Sequence, residues 1–245
     1  MHPEIAELVS KAFYEGSLET DAAKRKHYQT SPCPVVSLDL LRLPDAPIVW
    51  IDMPWVQTTK NKKDGDMSPR WNNPDERLAV LYALGLLSST SSVELPSIAV
   101  LSPYSQQVKL LEEDVQRAAE KQLNNLKSFA RAADGTRYAH TVDSFQGNEA
   151  DVVVVSLVRN NSHGSIKRAL GFLSNPKRMN VLLSRAKWRL IIVGSLAFMK
   201  SAATIAKSPQ DTVEIAFLKE LFAAIEDEGS KIRVVPFATL RGVDA

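Results

Sequence analysis

The sequence has little cysteine and no long hydrophobic run. A single cysteine among 245 residues, Cys33, excludes an internal disulfide and is typical of a reducing compartment. No apolar stretch approaches the roughly 20 residues that a membrane-spanning helix needs, and the first residues lack the apolar core of a signal peptide. The sequence therefore predicts a soluble chain of the nucleus or cytoplasm, with no membrane partner.

Metal-binding and phosphate-binding motifs are missing as well. Four histidines and one cysteine are scattered without the spacing of a zinc site, so we predict no metal ligands. None of the ten glycines opens the GxxxxGK(S/T) pattern of a phosphate-binding loop, the Walker A motif. On its own, the sequence predicts no complete nucleotide-binding site.

Acidic residues are absent between Asp151 and Asp211, although the whole chain carries a net charge of only +2. The basic residues of this interval are Arg159, Lys167, Arg168, Lys177, Arg178, Arg185, Lys187, Arg189, Lys200 and Lys207. A stretch of one sign inside a strand-rich segment indicates a surface that contacts phosphates. A solvated face whose charge is neutralised by acids elsewhere is an equally good interpretation.

Apolar segments of strand length alternate with amphipathic segments of helix length. Predicted strands cover residues 47–53, 97–101, 138–141, 152–158, 190–193 and 232–236. Predicted helices cover residues 2–13, 73–87, 108–127, 176–186, 196–207 and 213–227. The alternation is typical of an α/β domain with a parallel sheet of five or six strands and helices on both faces.

The first part of the chain differs from the rest. Residues 21–46 are polar and contain three prolines, which predicts an irregular connector. We therefore divide the chain into an amino-terminal helix and connector, residues 1–46, and one α/β domain, residues 47–240.

Two motifs stand next to apolar strands between residues 138 and 195. The first reads TVDSFQGNEAD from Thr141, and the second reads NVLLSRA from Asn180. A third motif, SPYSQQ, starts at Ser102, and the chain opens with MHPEI and a later FYEGSL turn. Together they resemble motifs V, VI and IV and the segment after motif III of superfamily 1B helicases, the Upf1/DNA2/Sen1 group.

The resemblance implies the RecA-like P-loop NTPase fold in its second, C-terminal motor lobe, which has no Walker A motif. It implies a motor that uses ATP with Mg²⁺ to move 5′ to 3′ on single-stranded RNA or DNA. The phosphate loop and the Mg²⁺ ligands are then expected from an N-terminal RecA-like lobe that is missing from this sequence. We therefore predict that the isolated chain is inactive as an ATPase.

Met1 matches the methionine of the family's Arg-Met-His-Pro run, and the Tyr-Arg pair before that methionine is missing. This match predicts a fragment, or a gene model that begins within the motif. Two other functions stay open: a single-strand-binding module without turnover, and an interaction scaffold that keeps only the fold. The presence of Arg185, Glu149 and Gln146 favours a working motor, because a scaffold has no physical need for them.

On the nucleotide side, the resemblance assigns Arg185 as the arginine finger of motif VI. It assigns Glu149 to the sugar of the nucleotide, and it adds Gln146, Gly147 and Arg178 to the nucleotide site. Glycine at 147 permits close backbone approach or a positive φ. Within the predicted helix 176–186, Arg178 and Arg185 are two turns apart and should share a face, although Arg178 could instead hold the motif together.

On the strand side, six residues match positions near the bound nucleic acid in this family: Ser102, Pro103, Tyr104, Thr141, Asp143 and Ser144. Small hydroxyls and backbone amides suit phosphate contacts that fix register without reading the base sequence. For Tyr104, stacking on a base and packing on its own domain are both open. Asn73 and Glu76 also match the family, at the start of a predicted helix.

Overall fold

The computed structural model describes residues 1–56, 72–91, 93–206, 208–227 and 229–242. The strands in these ranges are β1 (Val35–Ser37), β2 (Ile48–Asp52), β3 (Leu87–Ser89), β4 (Ser97–Ser102), β5 (Ala130–Arg131), β6 (Ala139–Thr141), β7 (Ala150–Ser156), β8 (Ala186–Gly194) and β9 (Ile232–Pro236). The α-helices are α1 (Pro3–Phe13), α2 (Ala22–Thr30), α3 (Pro74–Gly85), α4 (Ser105–Lys121), α5 (Ile166–Ala169), α6 (Pro176–Leu183), α7 (Leu196–Ala203), α8 (Pro209–Glu214), α9 (Ala216–Glu226) and α10 (Phe237–Arg241).

One sheet of seven strands forms the centre of the molecule. Its order is β5-β4-β7-β8-β2-β9, and β6 pairs with the second half of β4. The described pairings of this sheet, β4 with β5, β6 and β7, β8 with β7 and β2, and β2 with β9, are all parallel. The fold is the α/β, RecA-like arrangement predicted above, so the fold class is confirmed, with more strands than expected.

Helices cover both faces of the sheet, as the predicted fold requires. Successive strand residues alternate between two hydrophobic cores because side chains along a strand point to opposite faces. Ile48 and Trp50 of β2 belong to the core covered by α1, α6, α7 and α9. Val49 and Ile51 belong to the core covered by α3, α4 and α10. The central strands are therefore buried on both sides, which explains their continuous apolar sequences.

The prediction of an irregular connector over residues 21–46 is wrong. Asp21 caps helix α2 (Ala22–Thr30), and its carboxylate accepts hydrogen bonds from the amides of Ala23 (3.0 Å) and Lys24 (3.2 Å). None of its residues is buried, so the helix has no hydrophobic stripe that a sequence pattern could reveal. The three residues of β1 pair antiparallel with β3 and form a short ribbon beside the main sheet.

Helix α1 packs into the same core as the sheet. Its residues Ile5, Leu8 and Val9 are buried against strand residues and against the helices of that face. The amino-terminal helix is thus part of the packed structure. The division of the chain at residue 46 stays a prediction.

Several predicted helices have different bounds in the structure: the helix predicted over 108–127 is Ser105–Lys121, the helix predicted over 196–207 ends at Ala203, and two more differ as follows. The helix predicted over 176–186 ends at Leu183, and Ala186 already pairs with Ala150 in the sheet. The helix predicted over 213–227 is two helices, α8 and α9, which meet at Ile215. No glycine or proline interrupts either of these last two stretches of sequence. We therefore attribute these bounds to strand pairing and core packing.

Candidate functional site

The predicted site residues lie at the two ends of the parallel sheet. In a parallel sheet all strands begin at one end, here called the amino end, and finish at the other, the carboxyl end. Arg185 and Glu149 directly precede β8 and β7 at the amino end, whereas Ser102 and Thr141 finish β4 and β6 at the carboxyl end. The strand register puts Thr141 and Ala150 about 20 Å apart along the strands.

Arg185 and Glu149 are neighbours at the amino end. The amide of Ala150 donates a hydrogen bond to the carbonyl of Arg185 (3.1 Å), and Ala150 pairs with Ala186. The two site residues therefore lie side by side, each directly before one of two adjacent strands. The structure thus places the backbones of the two residues next to each other, and the resemblance assigns both residues to one nucleotide site.

The guanidinium of Arg185 is half-buried and held by the end of its own helix. Its Nε donates to the carbonyl of Val181 (3.0 Å), and its Nη2 donates to the hydroxyl of Ser184 (2.7 Å). Among the described residues no carboxylate lies within 4 Å of it. The carbonyl end of a helix carries partial negative charge, which favours a cation at this position.

The prediction that Arg178 and Arg185 share a helix face is wrong. Arg178 is in the first turn of α6, and Arg185 lies beyond the last residue of that helix. The guanidinium of Arg178 is 3.9 Å from the carboxylate of Asp143 and 4.9 Å above the ring of Phe172. Arg178 therefore lies with the strand-side residue Asp143.

Gln146, Gly147 and Glu149 are exposed in the loop that connects the two ends of the sheet. Gly147 has φ +87°, and a Cβ there would meet no atom within 4 Å, so only its backbone conformation demands glycine. In the described part of the chain, the carboxylate of Glu149 accepts no hydrogen bond and forms no ion pair. Burial raises the pKa of the Tyr28 hydroxyl, and the charge of Glu149 raises it further, which places Tyr28 near that carboxylate.

At the carboxyl end, the residues of motif V form a compact turn. The Thr141 hydroxyl donates to the Ser144 hydroxyl (2.9 Å), and the Ser144 amide donates to the Thr141 hydroxyl (3.2 Å). Asp143 and Ser144 are exposed. The turn presents two hydroxyl groups at the surface where β6 ends, and hydroxyl groups suit contacts to phosphate oxygens.

The residues of motif IV are more buried than those of motif V. The hydroxyl of Ser102 is fully buried and has no hydrogen-bond partner within the described ranges. Helix α4 starts directly after Tyr104 without a side-chain cap. Burial raises the pKa of Tyr104, whose ring centroid is 6.4 Å from that of Phe172. The structure thus packs Tyr104 on its own domain. Pro103 connects it to Ser102 along the chain.

Comparison with known families identifies this architecture. The family model described as an AAA domain matches residues 1–197 of the chain. The chain belongs to this AAA domain family and is a superfamily 1B helicase-like domain.

Several relatives match most of this helicase-like domain. The chain is 32% identical over 206 residues to the probable helicase MAGATAMA 3 of Arabidopsis thaliana. This match covers 82% of the chain and 22% of the relative. It is 30% identical to a regulator of nonsense transcripts 1 homolog of Neurospora crassa, over 80% of the chain and 16% of the relative. It is 29% identical to the mouse DNA replication ATP-dependent helicase/nuclease DNA2, over 64% of the chain and 13% of the relative. The chain therefore spans about a fifth or less of these relatives.

Sequence reasoning missed a buried polar network beneath the carboxyl end of the sheet. Glu76 is fully buried, and its Oε2 accepts hydrogen bonds from the Ser156 hydroxyl (2.6 Å) and the Val158 amide (2.8 Å). Gln107 of the motif IV helix donates to the same Ser156 hydroxyl (2.9 Å) and to the carbonyl of Asn73 (3.2 Å). The match of Asn73 and Glu76 to the family was the only signal, because the partners lie far away along the sequence.

The network holds a strained turn. Val158 has φ +71°, an unfavourable conformation for a β-branched residue, and Asn73 Nδ2 donates to its carbonyl (3.2 Å). Burial raises the pKa of Glu76 to about 8, and hydrogen bonds from Ser156 and Val158 oppose that shift. Glu76 thus fixes the direction in which the chain leaves β7.

The described residues include no helix long and apolar enough to cross a membrane. They also include no group of three histidine, cysteine, aspartate or glutamate side chains that could hold a metal ion.

Proposed function

We propose that the chain is the C-terminal motor lobe of an ATP-dependent helicase that moves 5′ to 3′ on single-stranded RNA or DNA, with Arg185 as its arginine finger. The observation that carries the proposal is the pairing of Arg185 and Glu149 on adjacent strand starts. A cation and a carboxylate side by side can contact the phosphate and the sugar of one nucleotide.

Arg185 has the right chemistry and free donors for the phosphate. A guanidinium offers five N–H donors in a planar fork and stays charged at all physiological pH values. Val181 and Ser184 accept two of these donors, which holds the side chain and leaves the remaining donors for phosphate oxygens. Charge that develops on the γ-phosphate during phosphoryl transfer is then stabilised by a pre-positioned cation.

Glu149, Gln146 and Gly147 complete the nucleotide side of the lobe. An exposed carboxylate at 149 can accept hydrogen bonds from the two ribose hydroxyls without preference for a base. The open space and positive φ at Gly147 let the backbone approach a ligand closely. Gln146 lies on the same exposed loop and adds an amide contact. Arg178 is better placed for the strand, because it lies beside Asp143.

The phosphate loop and the Mg²⁺ ligands belong to a first motor lobe in this proposal. The sequence has no GxxxxGK(S/T) pattern, and no three-ligand metal group occurs in the described residues. ATP bound with Mg²⁺ would supply the phosphoryl group, and this chain would contribute the cation and the sugar contact. The isolated chain is therefore inactive as an ATPase.

The strand contacts of the lobe are proposed at the carboxyl end. Thr141, Asp143 and Ser144 form an exposed turn. Motif IV, with Ser102, Pro103 and Tyr104, lies beside this turn, where β4 ends. Backbone and hydroxyl contacts of this kind position a phosphate backbone and give no sequence preference. A single-strand-binding module without turnover is the second candidate, since all of these residues lie within this chain.

ATP hydrolysis by the chain, alone and fused to a P-loop lobe taken from a relative, tests the proposal. The chain alone should release no phosphate above background, and the fusion should show hydrolysis that single-stranded nucleic acid stimulates. Hydrolysis by the chain alone would contradict the two-lobe account. A fusion that binds strands tightly but never hydrolyses ATP would instead favour the binding module.

A further inference from the structure

We infer that residues 166–178 form a second binding surface for the phosphate backbone of single-stranded nucleic acid, beside the motif IV and V residues. We call it the basic ledge and define it by Lys167, Arg168, Phe172, Lys177 and Arg178. The inference rests on the proposed function, because it extends the strand contacts of the carboxyl end. The motifs assign none of these residues to the strand.

The ledge is held in a fixed position by buried polar side chains. It consists of α5, a 3-10 turn over Gly171–Ser174 and the first turn of α6. Arg159, which is 5% exposed, donates from Nη2 to the carbonyl of Arg168 (2.8 Å). Asn161 Nδ2, also buried, donates to the carbonyl of Ala169 (3.0 Å). The segment that follows β7 therefore anchors the backbone that carries the ledge cations.

Gly171 shows how closely the ledge packs on this anchor. Its φ is +54°, and a Cβ at this position would lie 2.6 Å from Arg159 Nη2. A real Cβ cannot approach another heavy atom so closely, so only glycine permits the observed contact. A backbone fixed in this way has little conformational entropy of its own left to lose on binding.

The ledge is continuous with the predicted strand-binding residues. The ring of Phe172 lies between Tyr104 of motif IV, 6.4 Å away by ring centroids, and the guanidinium of Arg178, 4.9 Å above it. Arg178 in turn lies 3.9 Å from Asp143 of motif V. Motif IV, the ledge and motif V thus line one connected surface at the carboxyl end of the sheet.

The charge of the ledge is not compensated within the described residues. All four cations are exposed. Among the residues that the structure describes, Arg178 is the one ledge cation with a carboxylate within 4 Å, and that contact is long and exposed. The sequence supplies no acidic residue between Asp151 and Asp211, so no neighbour along the chain can neutralise Lys167, Arg168 or Lys177. A fixed cluster of four exposed cations, three of them without a carboxylate within 4 Å among the described residues, favours an extended polyanion.

A single strand fits this surface better than a free nucleotide. The nucleotide side chains Glu149 and Arg185 lie at the other end of the sheet, about 20 Å away along the strands. A strand that contacts Thr141 and Ser144 has further phosphates along its length, and these can reach cations beyond Arg178.

Salt-dependent strand binding tests the ledge with a triple variant, Lys167→Ala, Arg168→Ala and Lys177→Ala. The control removes the same charges from the exposed helix α2, with Lys24→Ala, Arg25→Ala and Lys26→Ala. Fluorescence anisotropy measures the affinity of each protein for labelled oligonucleotides of about 20 uridines or thymidines, from about 50 to 200 mM salt. A third variant exchanges lysine and arginine at the three ledge positions and so keeps their charge.

The ledge variant should bind at least about tenfold more weakly than wild type, and its slope of log affinity against log salt should be smaller by about 2. The α2 variant and the charge-keeping variant should stay within about twofold of wild type. Equal affinities and slopes for the ledge and α2 variants would overturn the ledge while leaving the proposed function intact. Absence of strand binding by the wild-type chain would overturn both the ledge and the strand half of the proposed function.

Discussion

The two ends of the same sheet differ in how far their polar side chains are already engaged. At the carboxyl end, Thr141 and Ser144 bond each other and Asp143 lies beside Arg178. At the amino end, Glu149 has no partner among the described residues, and Arg185 is held only by its own helix. In the proposed function, this difference means that the carboxyl end binds a strand with residues of this chain alone, whereas the amino end forms one half of a nucleotide pocket.

The largest expected effect comes from removing the guanidinium at the amino end. In a fusion with a P-loop lobe, Arg185→Ala should lower the ATP turnover number by about a thousandfold or more, as loss of an arginine finger does. Strand affinity should stay unchanged, because the carboxyl end is untouched. Steady-state phosphate release and anisotropy measure the two quantities. Equal losses in turnover and strand affinity would break the separation of the two ends.

The buried network under the carboxyl end predicts an unusual pH dependence of stability. Glu76 has an ordinary pKa near 4.5 when unfolded and about 8 when folded. Between these values the folded chain keeps a proton that the unfolded chain releases, so the free energy of unfolding should fall as pH rises. The slope should reach up to about 1.4 kcal/mol per pH unit and vanish above the folded pKa.

Urea unfolding from about pH 5 to about pH 9 measures this slope in wild type and in Glu76→Gln, which cannot titrate. All other ionisable groups are shared by the two proteins, so their difference isolates Glu76. The variant should lack the additional decline. Parallel curves for both proteins would show that Glu76 is ionised in the folded chain at neutral pH.

A smaller effect is expected from Gly171→Ala at the ledge. The added Cβ would collide with Arg159 Nη2 and would take a positive φ, which together should destabilise the chain by about 1–3 kcal/mol. Gly164→Ala is the matched control, because a Cβ there meets no atom within 4 Å. Unfolding midpoints give the stabilities. A Gly171→Ala variant as stable as the control would mean that Arg159 does not hold the ledge as described.

The smallest effect is expected at the contact between the end of α1 and helix α6. Asn180 of α6 donates from Nδ2 to the hydroxyl of Tyr14, the residue after α1, at an exposed contact (2.8 Å). Tyr14→Phe removes this acceptor and should cost about 0.5–1 kcal/mol. A double-mutant cycle with Asn180→Ala should give a coupling energy of similar size. A coupling energy of zero would show that the contact between Tyr14 and Asn180 does not stabilise the chain.

The sequence was sufficient for the core of the fold. Continuous apolar sequence is typical of strands buried on both faces, and the predicted strand 152–158 overlaps β7 (Ala150–Ser156). The adjacency of β7 and β8, which sets the backbone of Arg185 beside that of Glu149, follows from strand pairing that the sequence pattern did not specify.

Other features depend on contacts that a pattern does not contain. The end of α6 is set by the pairing of Ala186 with Ala150, so the predicted shared face of Arg178 and Arg185 was wrong. Helix α2 buries nothing and shows no stripe. The network of Glu76 joins residues that are distant in sequence, and only their meeting in the fold reveals a buried carboxyl group.

Mapping of two ligands on one isotope-labelled chain tests the separation of the two ends most directly. Amide chemical shifts are followed by NMR while ATP with Mg²⁺, and separately a short single strand, are added to the protein. The account predicts that the nucleotide shifts amides around residues 146–151 and 184–187, and that the strand shifts amides around 102–105, 141–144 and 166–178. Shifts from both ligands at the same end of the sheet would contradict it.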